Sequence, residues 1–184
     1  MRKTKLTNGQ SARIASKMQD TRDIYNQYKW YLEMDAAAYD FMSKLGIHKE
    51  FYMLGGSAAM IAYGINIGRL PHDIDIVVAS GIYDAVIQII MDSPYYTKPS
   101  SDVPSSHHFA VEIEYQGKKF ILDILPHSIP VPFKACKPGL VYLQDLAQIQ
   151  AVKNQWVRAK DVIDRQLIAE FLSKCTPSKV VITQ

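Results

Sequence analysis

Cysteine, long apolar runs and charge of one sign are all scarce in this chain of 184 residues. Its two cysteines, Cys136 and Cys175, have no second Cys or His at metal-ligand spacing, which argues against a disulfide framework or a zinc site. The longest uncharged stretch, residues 51–68, contains four glycines, whereas a membrane span needs about 20 predominantly apolar residues. Residues 1–20 are polar and lack the apolar segment of a secretory signal. We therefore expect a soluble, cytoplasmic protein with reduced thiols and no membrane partner.

The charge balance is only mildly basic, with a formal net charge of +3. A dedicated nucleic-acid-binding domain usually carries a larger or more clustered positive excess. The basic residues concentrate within positions 2–17, which is typical of a solvated terminus and also compatible with an RNA-binding arm. Charge alone therefore assigns no partner.

Apolar periodicity and turn residues predict an α+β (α/β-like) fold with one small mixed β-sheet flanked by helices. Residues 1–48 are expected to form a helical segment that packs on a core of residues 49–184, giving one structural domain overall. The first helix has Gly46 as its stop signal and a break expected near residues 20–21. A Gly117 turn predicts a β-hairpin, and three prolines between 126 and 132 predict the end of regular structure. The predicted strands are 50–54, 74–79, 109–115 and 119–125, and the predicted helices are 11–45, 57–63, 84–91, 143–150 and 151–172.

Two carboxylates, Asp73 and Asp75, lie at the start of a predicted strand. Because side chains alternate along a strand, both point to one face, and Ile74, Ile76 and Val78 take the other. Adjacent carboxylates repel unless water or a divalent cation lies between them, and Mg²⁺ prefers such hard oxygen ligands. The pair is also compatible with an ordinary polar strand edge.

A third acid, Asp123, lies within the mostly apolar run 119–125. Carboxylates are rarely buried without a partner, so a metal ion or a basic side chain would explain it. A salt bridge at a sheet edge is the alternative.

Gly55, Gly56 and Ser57 stand between a predicted strand and a predicted helix. Two glycines permit close approach of a ligand to the backbone, and the free N–H groups of a helix start suit a phosphate. We expect Ser57 to cap that helix. Gly-rich turns before helices are common, so this motif is weak alone.

The ordered combination of these motifs resembles the polymerase-beta-like nucleotidyltransferase superfamily. The run LGGSAAMIAYGINIGRLPHDIDIVV (residues 54–78) is similar to the AbiEii/MenT-type group of abortive-infection and toxin nucleotidyltransferases. The later run AVKNQWVRAKDVIDRQLI (residues 151–168) resembles a helix of that group. The resemblance covers about residues 50–170, and His72 departs from it because Ser, Thr or Lys is more usual there.

The resemblance implies specific roles. Asp73 and Asp75 would bind Mg²⁺, with two ions expected and Mn²⁺ as a substitute. Asp123 would complete the metal site and help to deprotonate the acceptor hydroxyl. Ser57 and the amides of the Gly55–Gly56 loop would hold the triphosphate, and Lys153 would lie near the nucleotide.

The remaining charged and aromatic residues admit less specific interpretations. Arg69 is a phosphate-binding candidate because it lies four residues before the carboxylate pair. Asp161 and Asp164 are helical neighbours that we expect to form a surface ion-pair network, on one continuous helix with Lys153. Trp156 is expected to be a core residue rather than a base-stacking platform.

The sequence thus predicts a Mg²⁺-dependent nucleotidyltransferase that moves a nucleoside monophosphate from an NTP to a hydroxyl acceptor. The acceptor could be a tRNA or other RNA end, a protein or a small molecule. The resemblance adds the role of a toxin with an antitoxin partner. A non-catalytic nucleotide-binding or regulatory module and a Mg²⁺-dependent phosphohydrolase are the alternatives.

Overall fold

A five-stranded mixed sheet forms the centre of the protein in the computed structural model, which describes residues 8–97, 109–128 and 139–175. The strand order is β3-β4-β2-β1-β5. β2 runs parallel to β4 and β1 parallel to β5, whereas the β1–β2 and β3–β4 pairs are antiparallel. The strands are β1 (Tyr52–Leu54), β2 (Asp73–Ala79), β3 (Phe109–Tyr115), β4 (Lys118–His127) and β5 (Tyr142–Leu143). The predicted α+β class with a mixed sheet is confirmed.

Five α-helices surround this sheet in the described part of the chain. They are α1 (Asn8–Lys44), α2 (Gly56–Ala62), α3 (Tyr83–Asp92), α4 (Leu146–Asn154) and α5 (Ala159–Cys175). Two 3₁₀ turns, Lys49–Phe51 and Ser80–Ile82, precede β1 and α3. None of these helices is both long enough and apolar enough to cross a bilayer.

The first helix is continuous, so the break expected near residues 20–21 is wrong. Residues 10–45 contain neither Gly nor Pro, and an Asp or Thr in a helix interior costs less than about 1 kcal/mol. The helix ends where the sequence predicts, because Gly46 adopts φ +71° and the Ile47 N–H donates back to the Met42 carbonyl at 2.9 Å.

A single large hydrophobic cluster joins α1 to one face of the sheet. The side of α1 that faces it contributes fully or almost fully buried side chains, among them Tyr31, Met34, Phe41 and Met42. Ile74 and the other residues of the same strand face are fully buried in this cluster. The strand alternation inferred from sequence therefore holds, and the opposite face of β2 carries Asp73 and Asp75 followed by Val77 and Ala79, which form a smaller buried cluster with Met53.

The β3–β4 hairpin turns at Gln116 and Gly117, both of which have positive φ, as predicted for a two-residue turn. β4 is longer than expected because it continues through Pro126 to His127. Pro126 lies beyond the last residue that pairs with β3, and proline is tolerated at such an edge. The other two prolines of that run, Pro130 and Pro132, lie outside the described residues.

Candidate carboxylate and phosphate site

The three predicted carboxylates come together on one face of the sheet. Asp75 on β2 is in direct register with Asp123 on the neighbouring parallel strand β4. Asp73 lies two residues earlier on β2 and so projects from the same face. All three are partly buried. Neighbouring residues in register on paired strands have adjacent side chains, so β2 and β4 bring the acids of two distant sequence segments side by side.

The Asp75 carboxyl has a strongly raised pKa. Burial, followed by the negative charges of Asp73 and Asp123, raises the pKa of Asp75 from 3.8 to about 7, and the positive charges of Lys153 and Lys160 lower it only in part. Such crowding of carboxylates disfavours the ionised form unless a cation offsets it. The site is therefore short of positive charge.

The Gly55–Gly56 loop packs directly against Asp75. The Gly55 N–H donates to the Asp75 carbonyl at 2.8 Å. Gly56 has φ +51°, and a Cβ at this position would collide with the Asp75 carboxylate. These contacts bring the loop backbone onto the carboxylate site itself, with the Gly55 amide already bonded to Asp75. The close approach of a ligand at these glycines stays a prediction.

Ser57 does not cap α2, so that expectation is wrong. The residue preceding the helix is Gly55, which makes no side-chain cap bond, and Ser57 already lies inside the first turn. The Ser57 hydroxyl instead accepts a hydrogen bond from Arg69 at 3.1 Å. Ser57 thus connects the glycine loop to the nearest guanidinium.

Arg69 lies beside the glycine loop, but its guanidinium is held by a carboxylate. It donates to both oxygens of Asp164, at 2.8 and 2.7 Å, and to the Ile67 carbonyl at 3.3 Å. The Arg69 side chain remains 30% exposed, so part of it is accessible to solvent. The structure therefore brings Arg69 and Ser57 together and adds Asp164 as a partner that sequence reasoning did not assign.

Lys153 belongs to a buried ion cluster with Asp161 and Asp164, so the surface network expected for these two acids is wrong. Its ammonium lies 2.7 Å from Asp164 and 3.4 Å from Asp161, and both carboxylates are fully buried. Arg158 donates to Asp161 at 2.6 Å, while Arg69 holds Asp164. Burial alone would raise the pKa of each acid, but these hydrogen bonds and positive charges keep both pKa values below the ordinary range. Paired acids of this kind are expected to stay ionised.

The helix predicted over residues 151–172 is in fact two helices. α4 ends at Asn154 and α5 begins at Ala159, so Lys153 and Asp161 lie on different helices that fold against each other. The expectation of one continuous helix is therefore wrong. No Gly or Pro marks the break, and the spacing of Asp161 and Asp164 was the only sequence signal of the cluster.

Trp156 lies in the connection between α4 and α5 and is 51% exposed, so its assignment to the core is wrong. The guanidinium of Arg158 lies over its ring, 5.2 Å from the ring centroid. His72, the departure from the resemblance, is exposed immediately before β2.

The donor chemistry of the carboxylate face suits a divalent cation. Among residues 8–97, 109–128 and 139–175, no group of three or more His, Cys, Asp or Glu side chains is gathered closely enough to hold a metal ion as it stands. Asp73, Asp75 and Asp123 nevertheless offer hard oxygen ligands from one face, and the pKa of Asp75 is raised first by burial and then by the negative charges of the other two acids. The residues present therefore fit Mg²⁺ in ligand type and charge, and the number of ions stays a prediction.

A scan against protein-family models, a search of curated proteins and a search of solved structures each returned no match for this chain.

Proposed function

We propose that this chain is a Mg²⁺-dependent nucleotidyltransferase, which moves a nucleoside monophosphate from an NTP to a hydroxyl acceptor. The observation that carries the proposal is the register of Asp75 with Asp123 on adjacent parallel strands, with Asp73 on the same face. A structural sheet edge has no need of three crowded acids, one of which has its pKa raised to about 7.

The charge distribution next to these acids supports a phosphate-rich substrate. The cluster of Arg69, Lys153 and Arg158 with Asp161 and Asp164 holds three cations against two carboxylates and so keeps one positive charge. Preorganised cations beside a divalent ion are the usual means of binding and stabilising a triphosphate during phosphoryl transfer. The exposed parts of the Arg69 and Arg158 side chains are the portions available to a ligand.

The proposed reaction is an in-line displacement at the α-phosphorus. The acceptor hydroxyl oxygen forms a bond to the α-phosphorus, the bond from that phosphorus to the α,β-bridging oxygen breaks, and pyrophosphate leaves with the electron pair. Asp123 receives the hydroxyl proton. Mg²⁺ held by Asp73, Asp75 and Asp123 would supply neutralising charge for the triphosphate and for the departing pyrophosphate. The glycine loop, Ser57 and the cation cluster orient the substrate.

The acceptor and biological role in this proposal come from the resemblance of residues 54–78 and 151–168. The acceptor is an RNA end such as that of tRNA, a protein or a small molecule. The biological role is that of a toxin with an antitoxin partner, acting in the cytoplasm. The resemblance also makes Lys153 a nucleotide-binding residue; its pairing with two buried acids makes it a fixed charge rather than a mobile one.

The test is transfer of label from each α-³²P-labelled NTP to total cellular RNA and protein in the presence of Mg²⁺ or Mn²⁺. The wild type is compared with Asp73→Asn and Asp75→Asn, which keep side-chain shape and remove charge. Asp84→Asn is the matched control, because Asp84 is an exposed acid at the start of α3. We expect label transfer by the wild type and Asp84→Asn only.

Thermal unfolding separates lost function from lost folding in this test. Neutralising Asp73 or Asp75 relieves repulsion, so both variants should be at least as stable as the wild type. Release of phosphate without labelled acceptor would favour the phosphohydrolase. Bound NTP with neither transfer nor hydrolysis would favour the non-catalytic module and would contradict the proposal.

A further inference from the structure

Trp156 is an aromatic side chain at the surface with a fixed cation over its ring. It lies in the short connection between α4 and α5, and half of its surface is exposed. The adjacent Val157 is 92% exposed, so the connection packs little of its own apolar surface into the protein.

Arg158 fixes the position of this indole. Its guanidinium lies 5.2 Å from the Trp156 ring centroid and donates to the buried Asp161 at 2.6 and 3.3 Å. A cation over an aromatic ring is attracted to it, and the ion pair holds that cation in place. The indole therefore has a defined location despite its exposure.

The same contacts connect this ring to the candidate active site. Asp161 also accepts a hydrogen bond from the Lys153 ammonium, which forms an ion pair with Asp164 as well. Asp164 in turn accepts a hydrogen bond from Arg69. Arg69 donates to Ser57 in the first turn of α2, directly after the glycine loop that packs on the carboxylate face.

The electrostatics of Arg158 also relate it to the carboxylate face. Its pKa is raised chiefly by the hydrogen bond to Asp161, and the negative charges of Asp75 and Asp73 contribute as well. Arg158, which lies over the indole, is therefore one of the cations grouped near the carboxylate face.

We infer that Trp156, backed by Arg158, stacks on a nucleobase bound beside the carboxylates. This inference rests on the proposed function and deepens it by assigning a base-binding contact. Every base presents a π-face, so a stacking contact accepts any of the four bases. The base belongs either to the incoming NTP or to a single-stranded RNA acceptor, and the two sources share the same contact chemistry.

Equilibrium binding to the full-length chain tests the inference without turnover. The probes are ATP with Mg²⁺, inorganic tripolyphosphate with Mg²⁺, and a short single-stranded RNA that carries no triphosphate. Trp156→Leu keeps apolar bulk but removes the aromatic face, and Trp156→Phe keeps a smaller one. In Trp30→Phe protein, Trp156 is the sole indole, because the chain contains two tryptophans.

The expected result is a drop in Trp156 fluorescence on addition of ATP or RNA but not of tripolyphosphate. Trp156→Leu should weaken binding of the ligand that quenches the fluorescence by between roughly 5-fold and 150-fold, the range for loss of one base–aromatic stack. The affinity for tripolyphosphate should be unchanged. Trp156→Phe should recover most of the lost affinity. Weaker binding of ATP alone assigns the base to the incoming NTP, and weaker binding of RNA alone assigns it to the RNA acceptor.

Two results would overturn the inference. If Trp156→Leu binds ATP and RNA as tightly as the wild type while label transfer persists, stacking is wrong and the proposed function stands. If the wild type binds neither ATP nor RNA nor tripolyphosphate, both are wrong. Because Trp156 is exposed, unfolding of the variant is not expected, and its melting temperature checks this.

Discussion

At the scale of single residues, Gly56 is where backbone conformation and the carboxylate site meet. An alanine at φ +51° costs about 1–2 kcal/mol, because L residues disfavour the left-handed conformation. Its Cβ would also displace the Asp75 carboxylate. Displacement of a reacting group by about 1 Å can lower a rate about 100-fold. We therefore expect Gly56→Ala to destabilise the protein by more than about 2 kcal/mol and to lower transfer by at least about 100-fold.

Gly46→Ala separates the two effects. Gly46 has φ +71° but has no atom within 4 Å of an added Cβ, so its substitution carries the conformational cost alone. Urea unfolding should show a loss of about 1–2 kcal/mol for Gly46→Ala, and the transfer rate should be unchanged. Equal loss of activity in both variants would show that Gly56 has no special relation to Asp75.

Asp75 gives the protein a pH dependence whose sign follows from its raised pKa. The folded state holds a proton on Asp75 up to about pH 7, whereas an unfolded Asp releases it near pH 3.8. The folded state therefore binds more protons in this window, and the Asp75 contribution to the free energy of unfolding falls as the pH rises from 3.8 to about 7. Asp75→Asn should remove that fall.

Divalent cations should reverse this loss, because they compete with the proton for Asp75. Added Mg²⁺ should raise the melting temperature of the wild type more at about pH 8 than at about pH 5, and should raise that of Asp75→Asn little at either pH. Thermal unfolding with and without Mg²⁺ at the two pH values measures this stabilisation. Identical Mg²⁺ stabilisation of wild type and Asp75→Asn would place the cation elsewhere.

At the scale of elements, the sequence predicted four of the five described strands, because apolar runs and a period of two are local signals. It missed β5, where a helix was expected from residue 143. The alternation of Ile74, Ile76 and Val78 with the acids of β2 is visible within one segment, and so is the hairpin turn at Gly117. The break between α4 and α5 has no such mark, since residues 155–158 contain neither Gly nor Pro. Ion pairs between the two helices accompany it, and tertiary contacts of that kind leave no periodic signal.

Asp164 on α5 connects three elements, and its loss should therefore be costly. It is fully buried and binds Arg69, from the segment between α2 and β2, and Lys153 of α4. Asp164→Asn would leave these two cations with one neutral partner. We expect destabilisation of about 3–5 kcal/mol, the range for breaking a buried ion pair on one side.

Asp40→Asn is the matched control for this prediction. Asp40 pairs with Lys44 at 2.6 Å one turn later on the surface of α1, where both side chains are well exposed. Such a pair contributes about 0.3–0.5 kcal/mol. In urea unfolding, the loss of unfolding free energy should therefore be several-fold larger for Asp164→Asn than for Asp40→Asn. Similar small losses in both variants would mean that the α4–α5 cluster is solvated.

At the scale of the whole molecule, α1 is part of the core rather than an attachment to it. Its buried side chains belong to the same cluster as the sheet. Asp35 on α1 also accepts hydrogen bonds from the Leu140 and Val141 N–H groups, at 2.7 and 3.0 Å, just before β5. The sequence predicted a helix here, but the pairing of one buried acid with two amides more than 100 residues away leaves no local pattern.

Separation of residues 1–48 from residues 49–184 should therefore abolish folding. Full burial of an apolar side chain contributes about 1.5–3 kcal/mol, so Tyr31, Met34, Phe41 and Met42 together approach the about 5–15 kcal/mol of net stability typical of a protein. A chain of residues 49–184 should lose cooperative thermal unfolding and bind a hydrophobic dye. A chain lacking residues 1–22 is the control, because the described side chains of residues 16–22 are exposed, and it should unfold cooperatively near the wild-type temperature. Cooperative unfolding of residues 49–184 alone would mean instead that the sheet and the remaining helices form a complete core, and that the long first helix only covers it.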